Sequence, residues 1–441
     1  MPLSDRISTP ARPPDPSMSS VSLKRVVSRW QVVALALNDV IGSGVYLLPA
    51  AAAAALGYFS LAAVALAALA VGLIVLTFAE ASSYFDQPGS AYLYARSAFG
   101  ELPGFLVGWM TWLARVASVA SLSVGFTQAV AFLWPGAAAG WGRALTIALP
   151  LAILTWLNVI GVRSGVRTAV LLVVGKVTPL VLFVGVGLFV ASPSTVRGQP
   201  PGEGSLSQAA LLLLFAFAGF ENTAAPAGEY RNPKRDVPFA LLVHLGIVSC
   251  LYLGVQWVVL GTLPNAGVST APLAESAAGF LGTWGGLLLT VGAAVSILGT
   301  NGNTVLSGPR YLYALARDGF GPRFLAAVHP RYQTPAAAVL LQSAIALPLA
   351  LSGSFAGLAA LSVGARLVTY FGTAAAVPVL RRKLPGQGWL RLPGGPAVPV
   401  AAGALTLFLG LGAGRANLIA LAIAVAVGLL LFRLRSPRRG D

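Results

Sequence analysis

The sequence predicts an all-α integral membrane protein of about twelve transmembrane helices, and three observations predict it. Of 441 residues, 56% are hydrophobic and 10% charged, with a mean hydropathy of +0.80. Such a composition lies outside the range of soluble globular domains. Apolar runs of about 20 residues, the length that crosses a ~30 Å hydrocarbon core at ~1.5 Å per residue, recur along nearly the whole chain. Basic residues collect in every second connection between these runs, which is the positive-inside pattern of an even helix count with both termini in the cytoplasm.

Taken in order, residues 1–22 are rich in Pro and Ser, lack an apolar core and read as a disordered cytoplasmic tail, not a signal peptide. The first span, Trp30 to Leu56, is interrupted at Gly42, Ser43 and Gly44. Non-helical backbone survives in hydrocarbon only where it faces protein, a cavity or a bound solute, so this break implies a ligand. Leu61 to Ser82, Gly104 to Leu133, Ala144 to Ile160 and Thr168 to Ala191 complete a first set of five within residues 23–191. A second set, within 192–383, runs Gln208 to Gly228, Phe239 to Leu260, Trp284 to Leu312, Ala336 to Leu351 and Phe355 to Val379. The closing pair, Val398 to Gly412 and Asn417 to Phe432, lies within 384–434, and 435–441 forms a second cytoplasmic tail.

The net charge of +16 would suggest a nucleic-acid partner in a soluble protein, but its distribution reports topology instead. Segments expected in the cytoplasm hold Lys24, Arg25, Arg29, Arg96, Arg163, Arg167, Arg231, Lys234 and Arg235 in the first part of the chain. Later ones hold Arg310, Arg317, Arg323, Arg331, Arg381, Arg382, Lys383, Arg391 and the arginines of 433–439. The opposite loops hold only Arg143, Arg197 and Arg415. A multi-pass protein of the plasma (inner) membrane, with no nucleic-acid partner, is therefore expected. Cys250 stands alone in an apolar run, and His244 and His329 are far apart, so neither a disulfide framework nor a metal site is expected. No nucleophile, base and orienting group occur as a set, so neither an enzyme nor a cofactor is expected.

Five blocks resemble the amino acid, polyamine and organocation superfamily of secondary transporters. They are IGSGVYLLPA (41–50), QPGSAYLYARSAFG (87–100), FAFAGFENTAAPAGEYRNPKRDVP (215–238), GPRYLYALARDGFGP (308–322) and LVTYFGTAAAVPVLRRK (367–383). The resemblance implies a LeuT-type architecture: helices 1 to 5 and 6 to 10 form inverted repeats, and helices 1 and 6 are broken at the midplane. The glycines agree in place, Gly42 and Gly44 in one half and Gly219 in the other. No plain sequence repeat is visible.

At the first break, the N–H groups near Ser43, Gly44 and Val45 stand at the positive start of the outer half-helix, where a substrate carboxylate fits, and Ile41 and Gly42 complete the expected binding residues there. The alternative is that Gly42 and Gly44 are small-residue packing contacts. At the second break, unwinding around Phe217, Ala218 and Gly219 would free carbonyls for a substrate ammonium. Phe217 and Phe220 are either aromatic covers over the substrate or core residues.

Lys176 lies about ten residues into the fifth span, or ~15 Å, near the centre of the core. A charged lysine there costs about 2.5 to 3.5 kcal/mol on insertion scales and requires partners. The resemblance adds that proton-dependent relatives place a lysine here where sodium-dependent ones bind a cation. Proton coupling through Lys176 is expected, with Ser296 and Thr300 as neighbours and Asp39 as a further partner that would titrate with it. The alternative is a permanent ion pair. Glu221 follows the second break and serves as a gate or relay, or holds polar backbone there. Arg115, about twelve residues into the third span, either pairs with Glu221 or selects an acidic substrate side chain. Superfamily members do not usually carry an arginine at that place. Glu80 and Arg366 are expected in packing networks or gates, and Asn301 and Asn303 in hydrogen bonds between helices.

The leading expectation is a proton-coupled amino acid permease that works by alternating access as a monomer or homodimer in the bilayer. An obligate amino acid exchanger is the alternative within transport, and a non-transporting receptor on a carrier fold is the alternative outside it. Neutral amino acids are the default substrates. Arg115 raises acidic ones and lowers cationic ones.

Overall fold

Glycine, proline and short polar residues set where these apolar helices stop. The computed structural model describes residues 25–87, 89–161, 166–200, 202, 206–411 and 414–434. The expected tails, 1–22 and 435–441, lie outside the described residues, as do Lys24 and Arg163. The first seven helices are α1 (Arg29–Val40), α2 (Gly44–Leu56), α3 (Ser60–Ser82), α4 (Ser90–Phe99), α5 (Glu101–Ala131), α6 (Gly140–Ile160) and α7 (Val166–Val190). They are followed by α8 (Pro193–Arg197), α9 (Leu206–Phe217), α10 (Pro233–Thr262), α11 (Pro272–Arg317) and α12 (Ala336–Ser352). The last three are α13 (Phe355–Lys383), α14 (Ala397–Leu411) and α15 (Arg415–Arg433). The described residues contain no β-strand, only a single bridge between Val27 and Tyr230.

Among the described residues, eight stretches are long and apolar enough to cross a membrane, and Ala336–Ser352, Ala397–Leu411 and Ala209–Asn222, which is the body of α9 with the turn after it, are shorter apolar segments. The expected first span is two half-helices, α1 and α2, separated by Ile41, Gly42 and Ser43. The expected second and third spans are joined through α4, a helix that the sequence reading places only in a connecting segment. In α11 the backbone leaves helical geometry at Gly282 (φ 67°, ψ −167°), which divides it into a short helix from Pro272 and a long one that begins beside the expected Trp284.

The largest departure is at the sixth span, expected to continue to Gly228. Helix α9 stops at Phe217, and beyond it only two 3-10 turns form, Phe220–Asn222 and Ala227–Glu229, before α10. The intervening residues, ENTAAPAG, include weak helix formers and a proline without an amide donor. Side chains satisfy the backbone instead. Glu221 Oε2 accepts from the Gly219 amide at 2.9 Å, Asn222 Nδ2 donates to the Gly219 carbonyl at 2.9 Å, and Tyr230 donates to the Thr223 carbonyl at 2.8 Å.

Helix α5 is the central strut, with 83% of its most apolar window buried, whereas α15 has 6% and is peripheral. It packs on α11 and α13, while α1 packs on α7 and α10, and α2 packs on α9. Two glycines allow the broken elements to meet. A Cβ on Gly44 would lie 2.5 Å from the Ala216 Cα, and one on Gly219 (φ +129°) would lie 2.6 Å from the Asp39 carbonyl oxygen. The two breaks are thus pressed against each other.

Candidate functional site

Ending α1 at Val40 leaves carbonyls without helical donors, and beginning α2 at Gly44 leaves amides without acceptors. Lys176 of α7 takes the carbonyl side. Its Nζ donates to the Asn38 carbonyl at 3.0 Å, the Ile41 carbonyl at 3.2 Å and Thr300 Oγ1 at 2.8 Å. Three acceptors match the three donors of an ammonium. Ser296 Oγ donates to the Ile41 carbonyl at 3.0 Å, and Thr300 Oγ1 lies 3.2 Å and 3.0 Å from the Asn38 and Ile41 carbonyls. Lys176 and Ser296 are fully enclosed. The structure therefore brings Lys176, Ser296, Thr300 and the end of α1 into one cluster.

The amide side faces a cavity. Asp39, Gly42, Ser43 and Gly44 line it from the α1–α2 break, Phe215 and Ala218 from the end of α9, and Arg115 and Ser118 from α5. Thr300 and Thr304 of α11 and Arg366 of α13 close it. Its volume is about 20 Å³, room for a water molecule. An amino acid needs it to widen. Ser43 Oγ is buried in its wall with no hydrogen-bond partner.

Several expected site residues stand elsewhere. Ile41, Val45, Phe217, Gly219 and Phe220 are not among the lining residues. Phe217 packs on Tyr252, with ring centroids 4.9 Å apart, behind the cavity. Phe220 stacks on Tyr370 at 5.3 Å and meets Phe78 edge-on at 5.4 Å, a buried aromatic layer. The aromatic residue that does line the cavity is Phe215, which contacts Phe355 edge-on at 5.9 Å. Of the carbonyls expected around Phe217, Ala218 and Gly219 to serve an ammonium, that of Gly219 already accepts from Asn222. Gly44 owes its identity at least to packing, given its closeness to Ala216.

The expected Asp39–Lys176 pair does not form an ion pair. Lys176 is consumed by the carbonyls and Thr300, and the Asp39 carboxylate accepts from Asn303 Nδ2. Asp39 stands on α1 and Lys176 on α7, and it is the backbone at the end of α1, at Asn38 and Ile41, that reaches the lysine.

Glu221 is gripped chiefly by Arg366, whose Nη1 contacts Oε1, while Arg115 Nη2 stands 3.5 Å from the same oxygen. Tyr370 donates to Oε2 at 3.3 Å. Arg366 also donates to Ser118 Oγ at 2.8 Å and Ser362 Oγ at 3.3 Å. Arg366, expected in a packing network or a gate, is thus part of the cavity wall. Its signal was present: an arginine near the middle of α13 meets the same insertion cost that singles out Arg115. Glu80 lies in a separate bridge, accepting from Arg381 Nε at 2.6 Å and Nη2 at 2.7 Å and from the Leu392 amide at 3.1 Å. Asn301 donates to Ser123 across α11 and α5 at 3.1 Å.

A cavity lined by charged and hydroxyl side chains between two interrupted helices, set in a bundle of apolar helices, defines a multi-pass membrane transporter. The chain belongs to the amino acid permease family, whose model matches residues 27–434, within the amino acid, polyamine and organocation superfamily. It is 32% identical over 366 residues to an uncharacterised transporter of Mycobacterium tuberculosis, covering 81% of each chain. It is 28% identical to the branched-chain amino acid permease BcaP of Bacillus subtilis over 94% of each chain. It is 30% identical to the serine/threonine exchanger SteT of the same organism, over 88% of this chain and 90% of that one.

Proposed function

We propose that this permease is a secondary active amino acid carrier, coupled to protons through Lys176 and working by alternating access. Ten crossings arranged as five-plus-five inverted repeats, followed by two C-terminal crossings, place both termini in the cytoplasm of a cell bounded by its plasma membrane. The substrate carboxylate is held by the first amides of α2, next to Ser43. The moving unit is α1 to α3 with α9 and α10, against a frame of α5, α7, α11 and α13.

The observation that carries this reading is the set of three bonds from Lys176 Nζ to Asn38 O, Ile41 O and Thr300 Oγ1. An ammonium fills all three; a neutral amine has two donors and no charge, so it holds the end of α1 more weakly. Loading and unloading a proton there changes how firmly α1 is tied to α7 and α11. Substrate bound to α2 feels that change through the break.

Purified protein in proteoliposomes tests the reading. An inwardly directed proton gradient is expected to drive labelled amino acid uptake, and Lys176→Ala to abolish that dependence. Uptake that needs internal amino acid and ignores the gradient would instead establish exchange, with Lys176 a fixed strut. That second reading is favoured by the 30% identity to a relative named as an exchanger.

A further inference from the structure

We propose, resting on the transport reading above, that the cavity carries a subsite for a substrate side-chain carboxylate, with the Arg115 guanidinium as its specificity-determining group. Arg366 and Arg115 both approach Glu221, but they are not equivalent. Arg366 donates through Nη2 to Ser118 and through Nε to Ser362, and its Nη1 is in contact with Glu221. Arg115 has only the 3.5 Å approach to Glu221, and its Nε and Nη2 are buried with no hydrogen-bond partner. Its residue is 2% exposed, and it lines the cavity. A guanidinium so deep in an apolar bundle with unfilled donors is a site for a bidentate acceptor.

Charge balance points the same way. Around the cavity and its tether stand three cations, Lys176, Arg115 and Arg366, and two carboxylates, Asp39 and Glu221. Asp39 is held by Asn303, an uncharged partner. A zwitterionic substrate leaves the enclosed cluster with one excess positive charge, whereas an amino acid with an anionic side chain neutralises it. With its α-carboxylate at the α2 amides, such a substrate turns its side chain toward α5, where Arg115 waits. The proton on Lys176 and the second carboxylate of the substrate then enter as a balanced pair.

Glutamate and glutamine, nearly equal in shape, isolate the charge. Competition of each against a bound labelled amino acid, with the purified full-length protein, is expected to favour glutamate by ~10- to 100-fold, and Arg115→Gln to bring that ratio close to one. Arg115→Lys, which keeps the charge and loses the fork, is expected to fall between them. Glutamine or another neutral amino acid binding as well as glutamate to the unmodified protein overturns the proposal and leaves the transport reading intact. The same holds for a glutamate preference that survives Arg115→Gln. Absence of binding and flux for every amino acid overturns both. The comparison on the unmodified chain decides the matter even where a variant fails to fold.

Discussion

Replacing Lys176 with methionine separates a coupling role from a structural one. A hydrogen bond to a charged group is worth about 1.5 to 3 kcal/mol, so the three bonds at 3.0, 3.2 and 2.8 Å could sum to roughly 5 to 9 kcal/mol. Against that stands the desolvation of a buried ammonium, several kcal/mol, which the methionine does not incur. The carbonyls left behind keep hydroxyl neighbours, Thr300 near both Asn38 O and Ile41 O, and Ser296 on Ile41 O. The two contributions largely cancel, and the net loss of stability is expected within about 2 kcal/mol. The variant therefore folds, with α1 less tightly tied. In proteoliposomes at fixed membrane potential, uptake by the unmodified protein is expected to vary with external pH and uptake by Lys176→Met to be flat. A methionine variant that keeps the parent's pH profile refutes the reasoning.

Other substitutions test the packing and the charges. Gly44→Ala would put a Cβ 2.5 Å from the Ala216 backbone, which cannot move aside as a side chain can. It should lower the detergent melting temperature by an amount matching about 1 to 3 kcal/mol or more, while Gly246→Ala, with nothing within 4 Å, should not; equal melting of the two would remove the close-approach account. Arg366→Met leaves Glu221 buried with only the long contact to Arg115 and should cost about 3 to 5 kcal/mol. Adding Glu221→Met should recover most of it, and a double variant no more stable than the single one would show the pair is not the cause. Glu80→Gln takes the charge from a carboxylate bonded twice by Arg381 and once by Leu392 N, so melting should fall by a few kcal/mol-equivalents, about 2 to 5. Unchanged melting would show the α3–α13 bridge to be idle.

Helices were legible wherever composition alone decides, because about 20 apolar residues have few other stable forms in a bilayer. The first break was legible for a similar reason: Gly42, Ser43 and Gly44 are conspicuous in an alanine- and leucine-rich run. Depth along a helix was also readable, and it placed Lys176 and Arg115 in the interior. Direction around the helix was not. Phe215 lines the cavity while Phe217, two residues on, packs on Tyr252, and a shift of about 200° in facing follows from ~100° per residue. Partner choice was illegible too, since it depends on which of two arginines, on α5 and α13, comes nearer to Glu221. The unwound stretch after Phe217 depended on distant side chains, such as Ser90 of α4 donating to the Glu221 carbonyl.

One break serves two ligands of opposite sign, and that is what makes coupling available on the proposed reading. The carbonyls of Asn38 and Ile41 at the negative end of α1 receive the Lys176 cation. The amides that begin α2, at its positive end, face the cavity only a few residues later. A displacement of Gly42 and Ser43 that suits one ligand is therefore felt by the other, without any longer pathway. Linkage then requires reciprocity: if protonation tightens substrate binding by some factor, substrate raises proton affinity by the same factor, typically about 5- to 150-fold for couplings of 1 to 3 kcal/mol. Substrate affinity measured across pH, and proton uptake measured on substrate addition, must yield one number. Two different numbers would mean that the lysine and the substrate answer to separate elements of the bundle.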